Sequence, residues 1–236
     1  LQTHGEGFIE GNSWNFSFHV PFDVNGLITL MGGEKVFVKR LDDLFGMHLP
    51  EEYYAANEDI TIDCLVGGYV HGNEPSHHVP YLYAWTSQPW KTQYWLREIM
   101  NKMYRNDIRG LGGNDDCGQM SAWYIFSAMG FYPVCPGSDE YALGAPLFKN
   151  AIIHLENGND IVICAENAKE DGERGGIGKE SSTNSCEPLN VFISEMKLNG
   201  SLWNENFIRY SDLQDGAQLH FQMSETPNYN RAAPNK

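Results

Sequence analysis

Gly113-Asn114-Asp115-Asp116-Cys117-Gly118-Gln119-Met120-Ser121-Ala122-Trp123-Tyr124-Ile125-Phe126-Ser127-Ala128-Met129-Gly130-Phe131-Tyr132-Pro133-Val134 is where the chain changes texture. From Cys117 through Met120, Ala122, Trp123, Phe126, Ser127 and Met129 it reads as a helix, and Gly130 supplies the glycine that commonly closes one. Upstream the pattern is helical. Leu27, Leu30 and Met31 are divided from Val36, Val38, Leu41, Leu44 and Phe45 by Gly32-Gly33, which predicts two short helices around a turn. His77 to Tyr83 and Trp90 to Tyr104, broken at Gln88-Pro89, predict a helical hairpin. Downstream the apolar runs are short: 151–155, 161–164, 191–198 and 218–223 predict strands. Asn157-Gly158 and Asn199-Gly200 fit hairpin turns, because glycine, and less readily asparagine, accepts the positive φ such turns demand. The expected class is therefore α+β and multidomain. Helical hairpins occupy 1–134, forming a bundle or a toroid, and a β-sandwich-like module occupies 135–236, with a mobile polar insertion near 169–188.

Composition narrows the function. The 236 residues are 42% hydrophobic and 13% aromatic, enough to offset the entropy of ordering a globular core. The formal charge of −15 disfavours nucleic acid and anionic membranes as partners. No apolar run approaches the roughly 20 residues of a bilayer span. The five cysteines contain no C-x-x-C pair, so zinc-ribbon and thioredoxin-type chemistry are not written here. Leu1 is not an initiator Met, and aromatic residues crowd the chain by Trp14, which leads us to expect a piece cut from a longer protein.

Three polar clusters carry possible chemistry. In Glu10-Gly11-Asn12-Ser13-Trp14 a carboxylate beside an aromatic ring is a candidate general acid, although a helix cap and a core Trp would use the same residues. In His71-Gly72-Asn73-Glu74-Pro75-Ser76-His77-His78 adjacent histidines point apart on a helix, so oxygen donors from Asn73 and Glu74 suit a hard cation better than zinc. A capped helix start with Pro75 in its first turn is the alternative. Asn57 to Asp63 alternates oxygen donors but lacks the glycine and distal Glu of a helix-loop-helix calcium site, and reads as a solvated loop. In Asn114-Asp115-Asp116 one carboxylate caps the helix and the second is surplus, a candidate base on a bound water. A nucleophilic Cys117 is disfavoured by its flanking aspartates.

In this order the three clusters closely resemble glycoside hydrolase family 92. So do Phe18-His-Val-Pro-Phe-Asp-Val-Asn-Gly-Leu27, Gln88-Pro-Trp-Lys-Thr-Gln93 and Met129-Gly-Phe-Tyr-Pro-Val134. The resemblance is strong over 5–155 and weaker to Asn228. It implies a calcium-dependent, inverting exo-α-mannosidase acting on mannose-rich glycans, α-1,2 linkages included, located outside the cytoplasm. It also implies an (α/α)6 barrel between β-domains, of which this chain is the later part. An N-terminal portion of the same enzyme is then a partner, and a carbohydrate-binding or structural fragment, inactive without it, is the alternative reading. Matched residue by residue, Glu10 is the general acid and Asp116 the general base. The resemblance further implies that Trp14, His71, Glu74, His77, Asn114 and Asp115 line the sugar and that Asn73 and Glu74 lie by the calcium. Where this chain has Asn114 the family often has an Asp, so a helper to the base is here an amide.

Overall fold

The computed structural model describes residues 12–48, 65–168 and 190–231. Glu10, the loop 57–63 and the insertion 169–188 lie outside the described residues. The chain divides into two compact units, Leu1–Leu82 with Glu98–Tyr124, and Tyr83–Arg97 with Ile125–Lys236. Helix and sheet are both present, in keeping with an α+β chain.

The first unit begins with a single turn, α1 (Ser13–Phe16), followed by α2 (Val24–Leu30) and α3 (Glu34–Gly46). Asp23 Oδ1 accepts from Gly26 N at 2.8 Å and caps α2. Gly32 and Gly33 take φ values of 97° and 99°, so the turn between the helices depends on glycine at both positions. The 3- and 4-residue steps along α3 bury Phe37, Val38, Leu41, Leu44 and Phe45. Strands β1 (Leu65–Val66) and β2 (Tyr69–Val70) form a small antiparallel hairpin. At its tip a Cβ on Gly67 would lie 2.2 Å from the Phe45 carbonyl oxygen, so only glycine fits there. The Gly68 N–H donates to the Leu44 carbonyl at 2.7 Å, locking the hairpin to the end of α3.

The segment after β2 departs from expectation. His77–Tyr83 is not an α-helix: 3-10 turns cover Glu74–Ser76 and Val79–Trp85. The reason is local, since Pro80 disfavours the α-region at Val79 and brings no N–H of its own. Helices α4 (Trp90–Met103) and α5 (Gln119–Met129) each cross the division between the units.

In the second unit β3 (Phe131–Tyr132), β4 (Glu140–Leu143) and β9 (Phe207–Arg209) form an antiparallel three-stranded sheet in the order β3-β4-β9. Strands β5 (Asn150–His154), β6 (Asp160–Glu166), β7 (Phe192–Leu198), β8 (Ser201–Leu202) and β10 (Ala217–Ser224) form the larger sheet in the order β5-β6-β10-β7-β8. Within it β6 and β10 are parallel, and the other pairs are antiparallel. A short helix, α6 (Tyr210–Leu213), precedes β10. The period-2 pattern is clearest in β10, where Ala217, Leu219, Phe221 and Met223 face inward. They join Ile161, Ile163, Met196, Phe131, Leu143 and Ile208 in one core shared by both sheets. The β7–β8 turn is the expected one, with Asn199 and Gly200 at φ 50° and 80°.

Candidate active site

Each polar cluster with described residues falls in the first unit, and local chemistry holds each in place. In the first, Asn12 Oδ1 accepts from Trp14 N at 2.9 Å while Asn15 Oδ1 accepts from Asn12 N at 3.2 Å, a reciprocal cap on α1. Asn15 Nδ2 then donates to the Gly68 carbonyl at 2.8 Å, which ties the start of the chain to the β1–β2 turn. The Trp14 ring lies 4.1 Å under the Arg40 guanidinium, in cation–π contact.

The second cluster continues directly from β2, and its histidines are structural in their contacts. His78 Nε2 donates to the Phe18 carbonyl at 2.7 Å, and His19 Nδ1 to the Pro75 carbonyl at 3.3 Å. His77 Nε2 donates to the His71 carbonyl at 2.8 Å, which leaves Nδ1 to accept from Gln119 Nε2 at 3.2 Å. His71 is fully buried between two phenols, Tyr69 Oη at 2.8 Å from Nδ1 and Tyr104 Oη at 2.7 Å from Nε2. Tyr104 Oη–H donates to the Met120 carbonyl at 3.0 Å, so it must accept from His71 Nε2–H, and Tyr69 must donate to Nδ1. The His71, His77 and His78 imidazoles are neutral near pH 7. Burial lowers His77 and His78 to about 4 and takes His71 well below its ordinary value.

The third cluster resolves the duplicated carboxylates. Asp115 Oδ1 accepts from both Ser121 N and Ser121 Oγ at 2.9 Å, satisfying one orphan donor in the first turn of α5. The Asp115 carbonyl accepts from Gly118 N at 3.1 Å and Met120 N at 3.3 Å. Asp115 is therefore the cap. Asp116 is exposed, and it and Cys117 arch over that turn at φ 44° and 60°, a left-handed pair of non-glycine residues. Aspartate tolerates this region better than cysteine, so a cost of about 1–2 kcal/mol falls mainly on Cys117, and stored strain of this kind concentrates at functional sites. Asn114 is also exposed. Beside them a Cβ on Gly113 would come within 2.7 Å of Gly72 Cα, so the second and third clusters touch backbone to backbone at two glycines.

The unit thus joins 12–19, 68–78 and 104–124. Trp14, Asn114 and Asp116 have accessible surface, Glu74 and Asp115 are partly exposed, and His71, Asn73 and His77 are buried. Among the described residues no group of three or more His, Cys, Asp and Glu surrounds a common ion position. Both nitrogens of His71 and His77 are given to protein partners, so within this cluster the oxygen chemistry that a hard cation prefers resides in the Asn73 amide and the Glu74 carboxylate. Tyr69, Tyr104 and Gln119 belong to the same network and were not among the sequence candidates. Their spacing along the chain gives no sign of a shared partner, and only the fold brings them to His71 and His77.

Residues 1–225 match the model of the "Glycosyl hydrolase family 92 catalytic domain". A solved family GH92 α-mannosidase from Bacteroides thetaiotaomicron, in complex with mannoimidazole, is 39% identical with a TM-score of 0.82, over 95% of this chain and 27% of its own. A family GH92 inverting mannosidase from the same organism is 38% identical with a TM-score of 0.76, over 95% of this chain and 29% of its own. An "Uncharacterized secreted glycosidase" of Arthroderma benhamiae is 26% identical over 95% of this chain and 25% of its own length. The chain spans about a quarter of the length of these relatives.

Proposed function

The chain belongs to glycosyl hydrolase family 92, and from that premise we propose that it forms part of the catalytic centre of an inverting exo-α-mannosidase. The observation that carries the reading is the division of labour at 115–116: one carboxylate is spent on the helix cap and the next is held out, exposed, on a strained arch. The similarity to an inverting mannosidase supports the stereochemistry, and the similarity to a mannoimidazole-bound α-mannosidase supports the sugar. The substrates are mannose-containing glycans, with α-1,2-linked terminal mannose the first linkage to test. The secreted relative supports a place outside the cytoplasm, and no helix among the described residues is long and apolar enough to cross a membrane. In this reading the helical part belongs to an (α/α)6 toroid over 1–134, the sheets of 135–236 to a sandwich-like module, and an N-terminal portion of the same enzyme completes the site.

Asp116 accepts a proton from a water as that water attacks the anomeric carbon. Glu10 gives a proton to the leaving glycosidic oxygen on the opposite face, the C–O bond breaks, and mannose departs with inverted configuration. The two carboxyl groups must then stand about 6.5–9.5 Å apart, leaving room for the water. In this reading Trp14, Glu74 and Asn114 meet the sugar, while His71 and His77, buried and engaged, hold the loop that carries Asn73 and Glu74. Those two residues would hold a calcium ion, which when bound supplies a template for the sugar hydroxyls and a weak Lewis acid. The test is release of mannose from α-1,2-mannobiose by the full-length protein. Glu10→Gln and Asp116→Asn should each lower kcat at least a thousandfold with little change in KM, and a chelator should abolish release reversibly. Near-normal kcat in either variant overturns the assignment. Sugar binding without hydrolysis by the complete protein favours a carbohydrate-binding role instead.

A further inference from the structure

Tyr104 lies outside every sequence motif, yet its buried hydroxyl bridges the loop after β2 and the start of α5. Its ring is 8% exposed, runs parallel to Trp123 (4° between planes, centroids 6.0 Å apart) and lies 4.7 Å from Tyr124. Its backbone pairs with Leu111, where the chain turns towards Gly113 and the arch. The hydroxyl is used twice, accepting from His71 Nε2–H at 2.7 Å and donating to the Met120 carbonyl at 3.0 Å. The direction of the whole relay is fixed, because a carbonyl at its end can only accept: Tyr69 donates to His71, His71 to Tyr104, and Tyr104 to Met120.

We propose that Tyr104 is a positioning residue for the proposed base Asp116: its hydroxyl sets the spacing between the 71–74 loop and the first turn of α5, from which the Asp115–Cys117 arch hangs. The inference rests on the mannosidase reading. Without the hydroxyl, a buried N–H and a buried carbonyl face each other across a gap of one oxygen atom. Each is costly to leave unpaired, so the two either close on one another or admit a water. Either response shifts Met120, whose N–H holds the Asp115 carbonyl at 3.3 Å, and the Gly72–Gly113 backbone contact leaves the loops no slack beside it. A displacement well under the width of an atom is enough to misplace a general base relative to its water.

The experiment uses Tyr104→Phe in the full-length protein with an activated aryl α-mannoside. The expected result is a fall in kcat of about 10- to 100-fold, with KM within about threefold of the parent. In an Asp116→Asn background the same change should cost less than twofold, since residues acting through one another are not additive. His71→Leu, which breaks the bridge from its other side, is expected to reproduce the loss and to add nothing to Tyr104→Phe. Tyr141→Phe, in the second unit, should stay within about twofold of the parent. The proposal is overturned if Tyr104→Phe merely lowers the melting temperature at unchanged kcat, if it raises KM alone, or if its effect persists undiminished beside Asp116→Asn. Should the parent release no mannose, the mannosidase reading fails separately. Hydrogen exchange at 118–121 then decides the bridge: faster exchange in Tyr104→Phe but not in Tyr141→Phe upholds it, and equal exchange rejects it.

Discussion

Asp115 and Asp116 are identical in type and adjacent in sequence, and the fold gives them opposite work. The sequence supports the statement that one carboxylate caps and one is surplus, because a helix N-terminus needs only one acceptor at that position. Which is which depends on the left-handed turn at Asp116 and Cys117, and Cys117, a residue that ordinarily avoids that region, gives no local sign of it. Asp115→Ala removes the acceptor of Ser121 N and Oγ and should cost about 0.5–2 kcal/mol, whereas Asp115→Asn keeps an oxygen there and should recover most of it. Melting curves of the two variants decide this, and equal destabilisation would reject the cap. Asp116→Asn lies on an exposed arch and should shift stability by no more than about 0.5 kcal/mol while kcat collapses. Gly113→Ala is the opposite case: its Cβ meets Gly72 Cα and its φ of 144° excludes side chains, so a loss of more than about 1 kcal/mol is expected in denaturant unfolding.

At the scale of elements, the segment 71–85 shows where pattern reading stops. The apolar spacing of 77–83 reads as helix, but Pro80 breaks the stretch into 3-10 turns, and the His77 side chain takes the His71 carbonyl while His78 reaches out to that of Phe18. These histidines make the segment sensitive to acid. His77 and His78 titrate at about 4 in the fold because burial disfavours the charged form, against about 6.5 when unfolded. The unfolded chain therefore binds protons first as pH falls below about 6.5, and stability present above that value drains away towards pH 4. The slope is at most about 1.4 kcal/mol per pH unit for each histidine. The melting temperature should be flat above pH 7 and fall steadily from 6.5 to 4.5, and a flat profile down to pH 5 would contradict the burial. In the second unit the segment after β10 is held by Asn228 Nδ2 on the Ser194 carbonyl at 2.7 Å, by Tyr229 edge-on to Trp90 and by buried Arg231 on the Glu205 carbonyl at 2.8 Å. Deletion from Glu225 onward should lower the melting temperature of that unit by several degrees, and an unchanged melt would show these contacts to be idle.

At the scale of the whole molecule, the charge of −15 sets the exterior behaviour. The protein should pass unretained through heparin at about 50 mM salt, and retention would reveal a basic face that the composition hides. The sequence by itself determined the mixed helix and strand content, the glycine turns and the family. Each of these rests on local periodicity, on backbone φ that only a few residue types accept, or on contiguous motifs. Tertiary structure decided that 12–19, 68–78 and 104–124 share one unit, that Asp115 caps while Asp116 stands free, and that Tyr69, Tyr104 and Gln119 hold the histidines. Those facts were out of reach of the sequence for one physical reason: a hydrogen bond between residues 33 or 42 positions apart leaves no period along the chain, and its partners are specified only when the core packs around them.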